Sequence, residues 1–561
     1  MQSFKLCQKW VIQLAGSLFA VAKKFHHVVI CADYDSSRIR LFLKFVLNNK
    51  RRFIMSTMCS EQASEVAADS DSRRQLAEVF APQLFRDNAQ VVVTRLACYL
   101  ADDSIRGLAL TDPAVLLDAV KTIMDEDSSA PDNQKKLLSM IDLYIKTGIQ
   151  VHSPGYMGRQ FSGVIPLAGV FDLVNSIINQ PSSFYEAAQL PNVVESVMAD
   201  ELNQFIGYPP DSFAMVTTSG GSLANLTAIL AARNDKFPQF WSGGVNTIAG
   251  QALPAIAVSE DSHYSVSRAA GIAGIGADQI IRLPTNDHKQ IDITQVEATL
   301  KAAKERGLHV FCLVAAVGTT SMGAFDPIDA LADICQQHNI WLHVDGAHGA
   351  SLLLSEKLRQ PLKGIERADS FVWDAHKMLF VPSMCTLLFY KDKHKSKGAF
   401  AQQASYVFEK EPDIYTEYDS AEQNFECTKR PLIMNLWVCW VIYGKALFAN
   451  KIELLCELTQ STYRLLQQQP DFTPLHQPQA NILCFRYLPQ HLELSPAEMG
   501  DLQLNIRNQI RLDGKFFISK VDVDGLASLR VVFMNHDITL AHVKILLEEI
   551  RSVASNLLVP Q

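Results

Sequence analysis

The sequence has no Cys-x-x-Cys pair, no apolar run of about 20 residues, and no strong positive charge beyond its first 54 residues. Each absence removes a class of function. The eleven cysteines (7, 31, 59, 98, 312, 335, 385, 427, 439, 456 and 484) stand singly and are odd in number. That excludes paired-thiol zinc motifs and argues against a disulfide framework. Several lie inside apolar runs, such as Cys312 in 310-VFCLVAAV-317, and read as buried free thiols of a reducing cytoplasm. No residue is assigned to a metal. Without an apolar span of bilayer length no membrane partner is expected. Net charge is −8, and residues 1–54, with ten Lys/Arg against Asp33 and Asp35, carry about +8, which leaves the remainder near −16. So acidic a body excludes nucleic acid as the main partner, because phosphate neutralisation needs a cationic face. The short cluster 391-KDKHKSK-397 reads as a solvated loop.

The first residues admit three readings. Lys5 and Lys9 precede 10-WVIQLAGSLFAVA-22, the pattern of a secretory signal, and a second basic, apolar stretch follows at 38-RIRLFLKFVLNNKRRF-53. A start assigned too early, with synthesis from Met55 or Met58, accounts for both stretches and is preferred. A peripheral membrane anchor stands between the two.

What is present is ordinary globular material, 48% hydrophobic and 20% charged, enough for a large core and more than one domain. Residues 59–74 are polar and read as a mobile lead-in. Helical spacing, as in 113-PAVLLDAVKTIM-124, marks 75–149. From 150 to 400 short apolar strands (254–259, 308–318, 340–345, 370–374, 384–390) alternate with helices (165–180, 190–206, 223–233, 328–338), the last with Asp326 as its N-cap. That alternation predicts a mainly parallel α/β sheet. Residues 430–561 hold helices at 433–450, 496–512 and 539–554 with strands near 481–488 and 527–534, an α+β cap. The predicted division is 1–58 as a basic extension, 59–150 as a helical region, 151–425 as a large domain and 426–561 as a small one.

Four features carry chemistry. Gly220-Gly221-Ser222 opens a helix whose unpaired N–H groups suit a phosphate, although such a turn is usually only a turn. Asp345 ends a strand, where open α/β sheets bind ligands; as an N-cap it would serve equally well. Lys377, in 373-WDAHK-377, also follows a strand, and apolar surroundings there would lower its amine pKa and favour imine chemistry. His263 follows another strand and could stack on an aromatic ring.

Taken in order, 217-TTSGGSLANLTAILAAR-233, 261-DSHYSVSRAAG-271, 318-GTTSMGAFD-326, 342-LHVDGAHG-349 and 373-WDAHK-377 resemble the group II pyridoxal-phosphate-dependent decarboxylases, the glutamate, cysteine-sulfinate and aromatic-amino-acid type. The likeness runs from about His152 to Arg530. It implies fold type I, a seven-stranded, mainly parallel large domain with a small α+β domain, and pyridoxal 5′-phosphate as cofactor. It implies that Lys377 holds the cofactor covalently and that Asp345 pairs with its ring nitrogen. Gly221, Ser222 and His376 would contact the phosphate, His263 and Ala347 the two ring faces, and Thr319 cofactor and substrate. The segment 404-ASYVFEKEPDIYTEYDS-420 resembles the family's mobile loop, with Tyr406 as proton donor, and implies a homodimer in which the loop reaches the neighbouring site. Gln160 and Arg530 match residues that hold substrate carboxylates, and Arg159 stands beside Gln160. The strip 154-PGYMGRQFSGVIPLAG-169 is most similar to bacterial aspartate 1-decarboxylases, which form β-alanine for pantothenate and coenzyme A supply. Glutamate and cysteine sulfinate remain alternatives, since one methylene is worth only about 1–3 kcal/mol in a pocket. Arg268 departs from the pattern, standing where many relatives carry Lys, and residues 1–54 have no counterpart in the family.

Overall fold

The computed structural model describes residues 71–125, 133–248, 250–397, 400, 415–490 and 492–558. Tyr406, the loop around it, the residues before 71 and Cys7, Cys31 and Cys59 lie outside these. The chain divides into two units between Gln90 and Val91. In the first, residues 71–74 are already helical, within Asp71–Val79, where the polar composition predicted a lead-in. All that follows concerns the second.

Its main body is a seven-stranded sheet flanked by helices α1 (Pro166–Ile178), α2 (Gln189–Ile206), α3 (Gly221–Lys236), α4 (Tyr264–Ile272), α5 (Ile293–Glu305) and α6 (Ile328–His338). The strands are β1 (Ala214–Thr218), β2 (Leu253–Ser259), β3 (Ile280–Leu283), β4 (Leu308–Ala316), β5 (Trp341–Asp345), β6 (Ser370–Asp374) and β7 (Thr386–Tyr390), ordered β1-β7-β6-β5-β4-β2-β3. Only β7 is antiparallel to its neighbours. The other six run one way. The near-continuous apolar strands follow from burial on both faces: along β4, Leu313 and Ala315 join one core cluster and Cys312 and Val314 the other.

Asp326 does not cap α6. Pro327 occupies the N-cap position without a side-chain bond. Asp326 is instead fully buried and accepts the backbone N–H groups of Ile291 (2.8 Å) and Ala316 (2.7 Å), joining β4 to the turn before α5. The 391–397 cluster is not a loop throughout: Lys393–Lys397 is a short helix, and the Lys395 ammonium lies over the Trp341 ring at 5.2 Å. The helix expected at 433–450 breaks at Gly444 (φ 75°) into α7 (Ile433–Tyr443) and α8 (Lys445–Gln467).

A second, wholly antiparallel sheet, β8-β9-β11-β10, is formed by β8 (Phe472–Pro474), β9 (Ile482–Tyr487), β10 (Ser519–Val523) and β11 (Leu526–Val532), with α9 (Pro496–Asp513) and α10 (Leu540–Leu558). A distant segment is sewn into it. Met157 N–H donates to the Phe517 carbonyl and Val532 N–H to the Met157 carbonyl, both at 2.9 Å. A Cβ on Gly158 would fall 2.2 Å from the Phe517 ring, so only glycine lets this strip approach so closely. The strip preceding the large sheet is thereby fixed against the strand that carries Arg530.

Candidate active site

Because β1, β2, β4, β5 and β6 point the same way, the turns at their C-terminal ends meet along one edge of the sheet. These turns carry Gly220–Ser222, His263, Gly318–Thr319, Asp345–His348 and Asp374–Lys377. Their proximity is measurable. A Cβ on Gly221 would lie 3.5 Å from the Ala347 methyl and 3.1 Å from both Asp374 carboxylate oxygens. The first N–H groups of α3 stand at that point with no carbonyl one turn back.

Asp345 is oriented by a chain of buried side chains. Its Oδ2 accepts from Asn225 Nδ2 at 2.9 Å and its Oδ1 from Ala347 N–H at 3.2 Å. With the Asn225 amide nitrogen so engaged, its Oδ1 faces His343 Nε2 at 3.0 Å, which must therefore carry the proton. His343 Nδ1 then accepts from Ser370 Oγ (2.8 Å), which in turn accepts from Trp341 Nε1 (2.9 Å). Burial holds His343 neutral, lowered to about 4, against the pull of Asp345. Asn225, His343 and Ser370 carry no role in the sequence reading. Their signal was present, Asn225 one turn into the helix behind the glycine turn and His343 two residues before Asp345 on one strand face.

His263 caps α4, its Nδ1 accepting from Ser265 N–H at 3.3 Å. Burial lowers its pKa, opposed by Asp345 and aided by Lys377, so a flat neutral ring faces the edge. The apolar surroundings expected of Lys377 are not found: its Nζ lies 3.1 Å from Asp374 Oδ2. Asp374 also accepts from Thr386 Oγ1 at 2.5 Å. His376 Nδ1 lies 2.9 Å from the Cys385 carbonyl and its Nε2 3.6 Å from Asp374, on the same side as the glycine turn. Thr319 Oγ1 accepts from Ala324 N–H at 3.0 Å and so closes its own turn.

The 158–162 strip spans two of these groups. Gly158 carbonyl accepts from Arg530 Nη1 at 3.4 Å, and Ser162 Oγ donates to the His376 carbonyl at 3.2 Å. Between them Gln160 is buried and Arg159 exposed. Arg530 is 5% exposed, yet among the described residues its Nε and Nη2 have no partner, nor has Gln160 Nε2. Among the described residues no acid of the small domain pairs with Arg530.

A carboxylate held rigidly at a strand end, a glycine-opened helix N-terminus, a flat neutral imidazole and a lysine on adjacent turns fit a phosphorylated aromatic aldehyde. Residues 118–488, well over half of the chain, match the model of the pyridoxal-dependent decarboxylase conserved domain. The chain belongs to the pyridoxal-dependent decarboxylases. Its fold is that of the fold type I enzymes, and its chemistry is pyridoxal-phosphate-dependent amino-acid decarboxylation. Mouse CSAD in apo form is a solved structure similar to it, with 25% identity and TM-score 0.77, covering 85% of this chain and 99% of that one. Oryza sativa TDC with PLP and tryptamine superposes at TM-score 0.78 with 21% identity, covering 85% and 99%. The glutamate decarboxylase domain of a diaminobutyrate-pyruvate transaminase and L-2,4-diaminobutyrate decarboxylase from Vibrio parahaemolyticus gives TM-score 0.73 at 22% identity, covering 84% and 95%. At those identities the last two speak for the fold alone.

Six of the eight cysteines among the described residues are buried and all eight are free. No described helix is long and apolar enough to cross a membrane, and no described cluster of His, Cys, Asp or Glu could hold a metal.

Proposed function

We propose that this decarboxylase acts on an acidic L-amino acid, with L-aspartate converted to β-alanine and carbon dioxide as the first reading and glutamate or cysteine sulfinate as the others. One observation supports it above the rest: Arg530 and Gln160, both nearly fully buried, keep three donor atoms without an acceptor among the described residues, one more than the parallel pair that a single α-carboxylate takes. A guanidinium left so is poorly accounted for by folding, because burying an unpaired charge is unfavourable. It is well accounted for by a carboxylate ligand, which a guanidinium grips with two parallel hydrogen bonds. Gln160 Nε2 offers a further donor. Arg159 adds positive field at both Arg530 and Arg507, and Arg507 and Arg511 each bury an unpaired Nε.

Within this reading Lys377 holds the cofactor, Gly221, Ser222 and His376 contact its phosphate, and His263 and Ala347 flank its ring. Asp345, fixed by Asn225, keeps the ring nitrogen protonated, and Thr319 stands beside cofactor and substrate. The bound cofactor supplies an electron sink for the pair left when carbon dioxide departs. The protein's own work is to orient: Arg530 with Gln160 and Arg159 holds the substrate carboxylates, and the buried edge excludes water. Tyr406 returns a proton to the carbon, from a loop that reaches the site of a second copy in a homodimer. The compartment is the cytoplasm and the product serves pantothenate and coenzyme A supply. The chain divides into a basic extension 1–58, a helical region 59–150, a large cofactor-binding domain 151–425 and a small C-terminal domain 426–561.

Product analysis of the purified enzyme with aspartate, glutamate, cysteine sulfinate and an aromatic amino acid, each alone, tests this. β-Alanine is expected to form fastest. Faster γ-aminobutyrate would move the assignment to glutamate, and faster arylalkylamine would overturn the acidic reading.

A further inference from the structure

His348 follows Ala347 in the turn after β5 and is 2% exposed. The sequence reading gives it no role. Its backbone lies beside the 318–319 turn, where a Cβ on Gly318 would fall 3.5 Å from its own. Its Nε2 lies 2.7 Å from Oδ1 of Asn481, just before β9. The orientation of that amide is fixed independently, since Asn481 Nδ2 donates to the Phe533 carbonyl at 2.8 Å. A carbonyl only accepts, so the amide oxygen is the atom facing His348, and the imidazole must carry its proton on Nε2. Nδ1 is then left with a lone pair, and it is buried without a partner among the described residues. Burial above all, then Lys377 and Arg530, keep the ring neutral, at about 3; the Asn481 bond and Asp374 act the other way. These are the charged groups that face it, Lys377 and Asp374 from the end of β6 and Arg530 from β11.

The other unpaired groups of Gln160 and Arg530 are donors. An α-amino acid brings carboxylate to such donors, but its ammonium brings only donors and needs an acceptor. A neutral imidazole supplies one without repelling the charge.

We propose that His348 is a substrate-binding residue whose Nδ1 accepts a hydrogen bond from the α-ammonium group of the incoming amino acid, beside Lys377. This rests on amino-acid decarboxylation alone, and a failure of the acidic-substrate reading would leave it standing.

The test uses holoenzyme and two ligands, the best amino-acid substrate and its deamino analogue (succinate, where that substrate is aspartate). In His348→Leu, with cofactor absorbance and melting temperature retained, KM for the amino acid is expected to rise about tenfold, the scale of one such hydrogen bond. The calorimetric Kd of the deamino analogue is expected to stay within about twofold, as it has no ammonium to lose. His348→Gln, whose amide oxygen restores an acceptor, is expected to recover most of the affinity. A second variant leaves the imidazole in place. In Asn481→Asp a carboxylate facing Nε2 favours the imidazolium and puts a proton on Nδ1, so KM is expected to rise as pH falls below about 7 while wild type stays level. KM and Kd rising together in His348→Leu, or neither rising, would overturn the proposal. So would a pH-independent KM in Asn481→Asp, which decides the matter alone if His348→Leu does not fold.

Discussion

Replacing Arg530 with Met should separate activity from stability in opposite directions. Arg530 is 5% exposed, and among the described residues the one hydrogen bond of its guanidinium is the 3.4 Å bond from Nη1 to the Gly158 carbonyl. Its Nε and Nη2 are free. Two hydrogen bonds to a charged ligand are worth about 1.5–3 kcal/mol each, so their loss removes about 3–6 kcal/mol of substrate binding. At about 1.4 kcal/mol per decade, that is a fall of roughly 10²–10⁴ in kcat/KM, toward the lower end because Gln160 and Arg159 remain. Folding should respond otherwise. Methionine fills similar length without burying a charge, so stability should hold or rise by about 1–2 kcal/mol. Steady-state kinetics and a urea midpoint on the same preparation give both numbers. A stability loss above about 2 kcal/mol with kcat/KM within tenfold of wild type would show that Arg530 is a structural residue whose unpaired atoms hold no substrate.

Lys429 is the opposite case, a fully buried cation with every donor used: Glu195 at 2.9 and 3.2 Å, and the Thr217 carbonyl and Oγ1 at 3.1 and 3.0 Å. Lys429→Met should cost about 3–5 kcal/mol in chemical denaturation, and adding Glu195→Gln should restore much of it; an additive double variant would deny the pairing. Asn225→Leu should loosen Asp345 and raise the cofactor dissociation constant about tenfold in a fluorescence titration, with little change in melting temperature; unchanged affinity would show that Asp345 needs no support. Acid should also weaken the fold. His343, His348 and His476 are lowered by burial to about 4, 3 and 4, so below the unfolded value of about 6.5 the unfolded chain binds more protons. Their stabilisation is complete above that pH and is lost as pH falls toward 4, whereas Asp326, raised by burial to about 7, favours the fold over about pH 4–7 as it protonates. His152, His263, His309 and His536 are lowered too and Asp200, Asp261 and Asp369 raised, so among the described residues seven histidines stand against four aspartates; urea midpoints should fall from pH 6.5 to 4.5, and a level profile would contradict these burials.

Strand positions were readable where burial on both faces leaves unbroken apolar runs, as in β4, and Asp345 and Lys377 each follow such a run; β1, which leads into the glycine turn, was missed because its buried residues include the polar Thr217 and Thr218. What was hidden depends on partners far away in sequence. Asp326 reads as a helix cap until two backbone amides, from Ile291 and Ala316, are seen to claim it. Lys377 reads as apolar in its surroundings, although Asp374, three residues earlier, turns back onto it. The short strand β3 (Ile280–Leu283) and the edge strand β10 were missed because two of four and three of five of their residues are exposed or partly exposed, which dilutes the apolar signal. Gly444 interrupts a continuous apolar pattern with a backbone angle that hydrophobicity does not encode.

The strip at 155–158 pairs with residues near 517 and 532, some 360 positions further along. During synthesis, then, a ribosome must release almost the whole polypeptide before that stitch can close. Nascent chains stopped short of β11 would already own the lysine and the glycine turn, yet lack Arg530. Cofactor capture should therefore precede catalytic competence in a growing chain, and C-terminal truncations should give proteins that bind the cofactor without turning substrate over.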